Sequence, residues 1–99
     1  MSQLIWSADA LADVQRLYRF LSVKNSISAC RAMSTIREAV QIIAEHPEVG
    51  RPVDHMSTEY RDWPIAFGSS GDVARYYFDG AQAVLLAIRH QKEVGYQLR

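Results

Sequence analysis

The sequence predicts an α+β fold in which an N-terminal strand and an antiparallel helical hairpin pack on a small twisted, mostly antiparallel sheet. Two patterns predict it. Apolar residues recur at three- and four-residue steps through the first half of the chain, and short apolar or aromatic runs separated by glycine turns fill the second. A length of 99 residues with 48% hydrophobic content supports one domain, residues 1–99, with a modest core.

The first helix is predicted from its flanking signals. Gln3–Trp6 is a short strand candidate that stops at Ser7, a suitable N-cap. Asp9 and Asp13 place negative charge near the positive end of the helix that follows. We expect this helix to end near Asn25. Its apolar stripe comprises Ala10, Leu11, Val14, Leu17, Tyr18 and Leu21.

A second helix is expected to restart at Ser26 or Ser28 and to stop near His46, because a residue before proline avoids the helical region. Its apolar face comprises Ala29, Met33, Ile36, Val40, Ile43 and Ala44. Two prolines and a glycine then predict a turn over Pro47–Pro52. Two helices with so short a link should fold back as an antiparallel pair.

Three strands are predicted in the second half of the chain, over Glu59–Phe67, Val73–Phe78 and Ala83–His90. Pro64 makes the first of them an edge strand or forces a bulge. The third is the most apolar and should therefore be central. Turns are expected at Gly68 to Gly71 and at Asp79-Gly80.

Charge and cysteine content limit the possible functions. The formal net charge is zero, which disfavours a protein that acts alone by gripping a phosphate backbone. We therefore expect no direct sequence-specific nucleic-acid binding. Cys30 is the one cysteine, so no internal disulfide can form. The absence of a signal-like N-terminus and the short longest apolar run, Ala83–Ile88, predict a cytoplasmic protein with no membrane contact.

Metal and phosphate sites are not expected, and neither is any cofactor. His46, His55 and His90 are scattered without ligand-like spacing. Ser69-Ser70 lies between glycines, but it links two strands and does not lead into a helix N-terminus, so a phosphate-binding loop is rejected. His90 could act as a general acid or base. Packing at the rim of the core is favoured instead, on the same strand face as Val84, Leu86 and Ile88.

Basic and aromatic side chains are interleaved along the predicted strands, as is typical of an interaction surface. They could equally stack and hold RNA bases. In the simplest alternative each arginine pairs with a neighbour such as Asp62, Asp79 or Glu93. The basic and aromatic residues are Arg61, Arg75, Arg89, Lys92, Tyr76, Tyr77 and Tyr96.

The order of elements, the Pro-Glu-Val-Gly-Arg-Pro turn at Pro47–Pro52 and the tail Ile88–Tyr96 together resemble the RelE/ParE toxin superfamily over nearly the whole chain. RelE-like members cut mRNA on the ribosome with cationic groups that stabilise the scissile phosphate. Aligned through Ser69-Ser70-Gly71, the resemblance places those basic groups at Pro64, Ala66 and Val73. None of these three side chains carries charge, which disfavours RNA cleavage.

ParE-like members keep the fold without that basic set. The resemblance therefore implies a non-enzymatic toxin of a type II toxin–antitoxin system that inhibits DNA gyrase by protein contact. It also implies a DNA-binding, ParD-like antitoxin that forms a hetero-oligomer with the toxin. Arg61, Arg75, Arg89, Lys92 and Tyr96 are the candidate contacts with target or antitoxin. Two further candidates for the antitoxin are Tyr18 and Leu21.

Two alternatives stay open at this point. The first is a ribosome-dependent mRNA endonuclease that uses Arg75, His90 and Tyr96. The second is a non-toxic partner or corepressor of the antitoxin.

Overall fold

The computed structural model describes residues 3–67 and 70–90 of the chain. Within them, two helices pack on a five-stranded sheet of order β1-β5-β4-β3-β2, in which β1 runs parallel to β5 and the other pairs are antiparallel. The predicted α+β architecture is confirmed. The elements are β1 (Gln3–Trp6), α1 (Ala8–Lys24), α2 (Ser26–Glu45), β2 (Arg51–Pro52), β3 (Tyr60–Phe67), β4 (Ser70–Phe78) and β5 (Gln82–His90).

Side-chain caps set the helix boundaries. Ser7 accepts a hydrogen bond from the Ala10 N–H at 3.0 Å, as its predicted N-cap role requires. Asn25 is the C-cap of α1 and the N-cap of α2, and its Oδ1 accepts from the N–H groups of Ile27 and Ser28. The helix itself starts at Ser26, so the first of the two predicted starts is confirmed, with Asn25 as the capping residue. The predicted end at His46 is confirmed.

The buried stripe of α1 differs from the predicted one. The helix buries Ala10, Asp13 and Leu17, whereas Leu11 and Tyr18 are exposed. The stripe is rotated so that Asp13 faces the sheet, where its carboxylate accepts a hydrogen bond from the Ile88 N–H. In α2 the predicted face is largely confirmed; its buried residues are Ala29, Ala32, Ile36, Ala39, Val40 and Ile43.

The β3–β4 hairpin is longer than predicted. Phe67 pairs with Ser70, so β4 begins at Ser70 and not at Val73. Pro64 pairs with Val73 without a register shift and lies beyond the two residues that β2 covers. It therefore occupies the outer edge, as one of its two predicted alternatives requires. At the Asp79-Gly80 turn, Gly80 has a φ of +97° and Asp79 Oδ1 accepts from two backbone N–H groups.

A β-bulge in β5 changes which residues share a face. Arg75 pairs with Ala87 but Tyr76 pairs with Leu85, so Leu86 is an extra residue. Val84 and Ile88 consequently lie on opposite faces, and the prediction that His90 shares a face with Val84 is wrong. The β5 strand is interior, but β4 holds the central position that was predicted for β5.

The bulge also ties the start of α1 to the sheet. The Ser7 N–H donates to the Leu85 carbonyl at 3.0 Å, and the Ser7 hydroxyl donates to the Leu86 carbonyl at 3.2 Å. One serine thus caps the helix and satisfies the carbonyl of the extra residue.

The fully buried Tyr76 holds the Pro47–Pro52 turn through two hydrogen bonds of its hydroxyl. Its hydroxyl donates to the Pro47 carbonyl at 2.6 Å and accepts from the Gly50 N–H at 2.8 Å. The Arg61 guanidinium adds bonds to the carbonyls of Glu48 and Gly50. The last two residues of the predicted turn form β2.

Candidate protein-contact face

The sheet has one face covered by the helices and one that the helices leave open. Ala74 and Tyr76 belong to the core together with Ile36 and Ile43 of α2. Because side chains alternate along a strand, Val73, Arg75 and Tyr77 point the other way. We call this second side the open face. Register pairs align it in three rows: Tyr60–Tyr77–Val84–Ile5, Arg51–Asp62–Arg75–Ala87 and Pro64–Val73–Arg89.

The charged row is centred on an ion pair. Arg75 donates to both carboxylate oxygens of Asp62, at 2.9 Å from Nε and 3.0 Å from Nη2. Asp62 is 5% exposed, so burial alone would make its charge costly. The hydrogen bonds to Asp62 raise the pKa of Arg75, whereas partial burial alone would lower that pKa. The simplest alternative, in which an arginine pairs with a neighbouring acid such as Asp62, is therefore confirmed for Arg75.

The aromatic row lies beside the charged row. The rings of Tyr60 and Tyr77 meet edge to face, with centroids 5.2 Å apart and an interplanar angle of 69°. Val84 and the partly exposed Ile5 continue the row on β5 and β1. The open face therefore presents aromatic and aliphatic surface next to arginine, a composition that suits protein contact.

Arg89 is linked to α1 through Asp13. The Asp13 Oδ2 accepts from the Ile88 N–H at 3.0 Å and lies 3.5 Å from the Arg89 Nε. Since β1 pairs with β5 only as far as Leu85, the outer side of β5 at Ile88 has no β1 residue beside it. Asp13 supplies the missing acceptor. From the sequence, Asp13 was assigned only a favourable interaction with the helix dipole. Its position between Ala10 and Leu17 of the apolar stripe was the signal that its carboxylate would be buried.

The positions that correspond to the RelE basic groups converge on the open face. Pro64 and Val73 are directly paired, and Ala66 lies two residues along the same side of β3. Their side chains are apolar, so none of the three positions supplies a cation to stabilise a phosphate. Arg89, the register partner of Val73, is engaged with Asp13. The nearest arginine along β4 is Arg75, which is engaged with Asp62.

Arg75 and His90 of the alternative RNase site are not brought together. His90 pairs with Asp72, and both lie on the helix side with Ile65, whereas Arg75 lies on the open face. The ladder between Asp72 and Arg75 has no register shift, so the two side chains project from opposite faces. Tyr96, the third member, lies outside the described residues.

The other predicted contacts are dispersed. Arg61 projects to the helix side, where it holds the Pro47–Pro52 turn. Tyr18 is 41% exposed and Leu21 half-buried on α1, away from the open face. Lys92 lies beyond the described residues. Arg75 and Arg89 are thus the two predicted contacts on the open face within the described ranges.

In residues 3–67 and 70–90, no helix is long and apolar enough to cross a membrane. The same part of the chain holds no cluster of His, Cys, Asp and Glu suited to a metal ion.

Comparison with protein families gives one match over most of the chain. The model described as "ParE toxin of type II toxin-antitoxin system, parDE" matches residues 4–95. The chain belongs to the ParE toxin family. Among solved structures, the chromosomal ParDE TA system from P. aeruginosa is similar, with a TM-score of 0.71 and 21% identity over 91% of this chain and 96% of that chain. This likeness shows the fold. No curated protein matches.

Family membership agrees with the resemblance seen in the sequence and makes this chain a ParE-type toxin of a type II toxin–antitoxin system. Val73, Pro64 and Ala66 are therefore positions at which a ParE-type chain has apolar side chains.

Proposed function

We propose that this ParE-type toxin inhibits DNA gyrase by protein–protein contact, without catalysis or cofactor, and that a cognate ParD-like antitoxin neutralises it in the cytoplasm. The observation that carries the proposal is that Pro64, Ala66 and Val73, the positions that correspond to the RelE basic groups, are all apolar and lie together on the open face. A ribosome-dependent RNase needs fixed positive charge where the phosphate reacts. A protein that acts by contact needs none there.

The open face supports a contact role. Arg75 is held in a bidentate pair, and its side chain is still 39% exposed. The Arg89 side chain, at the end of the row that contains Pro64 and Val73, is 48% exposed. Fixed arginines beside tyrosines are frequent anchors of protein interfaces, because they lose little conformational freedom on binding. We assign the target contact to Arg75 and Arg89, with Lys92 and Tyr96 of the tail as further predicted members.

The antitoxin is expected to bind elsewhere on the toxin as well. Tyr18 and Leu21 lie on α1, which packs against the face of the sheet opposite the open face. A flexible antitoxin segment that orders on binding can cover distant surfaces of one partner. The expected complex is a hetero-oligomer in which the antitoxin carries the DNA-binding part.

The test is plasmid supercoiling by purified gyrase with a charge-removing variant. Asp62→Asn with Arg75→Gln neutralises both members of the pair together, so that no buried charge is left alone. We expect this variant and Arg89→Gln each to lose at least about tenfold in inhibitory potency, the effect of about 1.4 kcal/mol at an interface. Tyr77→Phe keeps the edge-to-face contact with Tyr60 and serves as the matched control.

Unchanged inhibition by both charge variants would refute the assignment of the open face. For the RNase alternative, the corresponding variants are Arg75→Ala and His90→Ala. Loss of mRNA cleavage on the ribosome with intact folding would support the endonuclease and contradict the contact proposal.

A further inference from the structure

The charges of this neutral chain are segregated. Residues 14–37 hold five basic side chains and no acidic one, whereas the rest of the chain holds six basic and eleven acidic residues. The stretch spans the second half of α1, the Asn25 junction and the first half of α2. It forms the distal end of the helical hairpin, where the chain reverses. The five basic residues are Arg16, Arg19, Lys24, Arg31 and Arg37.

Among the residues that the structure describes, the most exposed large apolar side chains lie in the same stretch. Val23 is 87% exposed, Ile27 63% and Phe20 60%. Phe20 and Val23 are three residues apart on α1 and therefore neighbours on its surface. Ile27 follows in the first turn of α2. The Lys24 ammonium lies 4.8 Å from the centre of the Phe20 ring, so cation and apolar surface are in direct contact.

Exposed apolar groups framed by cations need a partner that offers both carboxylates and apolar side chains. We propose that this distal patch, formed by Arg19, Phe20, Val23, Ile27 and Arg31, binds an acidic, apolar segment of the antitoxin. The inference rests on the proposed neutralisation by an antitoxin and adds the place and the chemistry of the contact. Arginine favours such a partner because its guanidinium pairs with a carboxylate through two hydrogen bonds.

Two other anionic partners fit the patch less well. A nucleic-acid backbone offers phosphates but no apolar surface for Val23 and Ile27. A lipid surface requires the apolar side chains at one depth, whereas the basic residues of α1 from Arg16 to Lys24 extend along about 12 Å of helix at about 1.5 Å per residue. A polypeptide segment can follow such a length.

The experiment measures the affinity of purified toxin for the antitoxin encoded beside its gene, at low and high salt. One variant removes the apolar part, Val23→Gln with Ile27→Gln. A second removes charge, Arg19→Gln with Arg31→Gln. All four positions are exposed, so the fold should be kept. The matched control is Ile42→Gln, a partly exposed apolar residue on the same helix but near its other end.

Each patch variant should weaken binding at least about tenfold, as expected for interface anchors, and the control should not. The charge variant should also reduce the dependence of affinity on salt. Cys30 is exposed beside Arg31 and gives an independent readout, since bound antitoxin should slow its alkylation.

Affinity for the antitoxin that is unchanged in both patch variants would overturn the inference. So would Cys30 alkylation at the same rate with and without antitoxin. Sedimentation of the wild-type toxin, but not the variants, with phosphatidylglycerol vesicles, while antitoxin affinity stays unchanged, would reassign the patch to lipid. Patch-dependent antitoxin binding without any effect on gyrase would preserve this inference and remove only the proposed target.

Discussion

Replacement of Tyr76 by Phe removes one hydroxyl from the centre of the structure and should be strongly destabilising. The hydroxyl donates to the Pro47 carbonyl at 2.6 Å and accepts from the buried Gly50 N–H at 2.8 Å. Loss of the first bond costs about 1 kcal/mol, and a buried N–H left without an acceptor costs about 1–3 kcal/mol. The free energy of unfolding should therefore fall by about 2–4 kcal/mol.

Urea denaturation of Tyr76→Phe and wild type, followed by circular dichroism, measures this difference. In thermal unfolding of the same two proteins, at about 4–8 °C per kcal/mol for a domain of this size, the melting temperature should fall by about 8–32 °C. Tyr77→Phe is the matched control, since it deletes a hydroxyl from the neighbouring residue on the open face and should change stability by less than about 0.5 kcal/mol. A Tyr76→Phe protein as stable as the control would refute the view that Tyr76 holds the turn.

Three further changes test other contacts. Gly50→Ala should destabilise by about 1–3 kcal/mol in the same assay, because a Cβ there would lie 2.6 Å from the Tyr76 hydroxyl; wild-type stability would contradict that packing. Asp13→Ala should cost about 1–3 kcal/mol by leaving the Ile88 N–H unpaired, and Asp13→Asn, which keeps an acceptor, should cost less; equal losses would contradict the hydrogen-bond role. Two backbone N–H groups lower the pKa of Asp79, so its stabilising effect is present at neutral pH and is lost as pH falls through that lowered pKa. Asp79→Asn should flatten this acid dependence in unfolding measured against pH, and an unchanged slope would contradict it.

A related alkaline effect is expected for Tyr76. Burial raises the pKa of its phenol, so the folded state favours the protonated form. The contribution to stability is complete below the unfolded pKa of about 10 and is lost as pH rises from there through the raised pKa of the folded state. Unfolding free energies measured from neutral to alkaline pH should decline more steeply for wild type than for Tyr76→Phe, and parallel curves would contradict this.

Features that depend on local chemistry could be predicted from the sequence. The Ser7 cap, the helix end before Pro47 and the Asp79-Gly80 turn each follow from a few adjacent residues. So does the edge position of Pro64, because a proline cannot donate to a second neighbouring strand.

Features that depend on distant partners could not be predicted. The bulge at Leu86 is tied to Ser7, 79 residues earlier, and it alone decides which face His90 occupies. Asp13 is buried because β1 ends before β5 does. Arg61 and Arg75 are alike in sequence, yet strand register turns one to the helix side and the other to the open face.

The sequence therefore predicted which residue types the candidate site contains, but not which of them lie on the same face of the sheet. Arginine and tyrosine on the strands indicated an interaction surface, and the structure places Arg75 and Arg89 on one side of the sheet. Whether these residues contact the target stays a prediction.

The central claim, inhibition by contact with gyrase, is tested most directly with wild-type toxin in two assays run from one preparation. The first follows supercoiling and linearisation of plasmid by purified gyrase, and the second follows mRNA cleavage in a purified translation system. The account predicts blocked supercoiling or accumulated linear plasmid, with intact mRNA. Unaffected gyrase together with mRNA cut on the ribosome would contradict it.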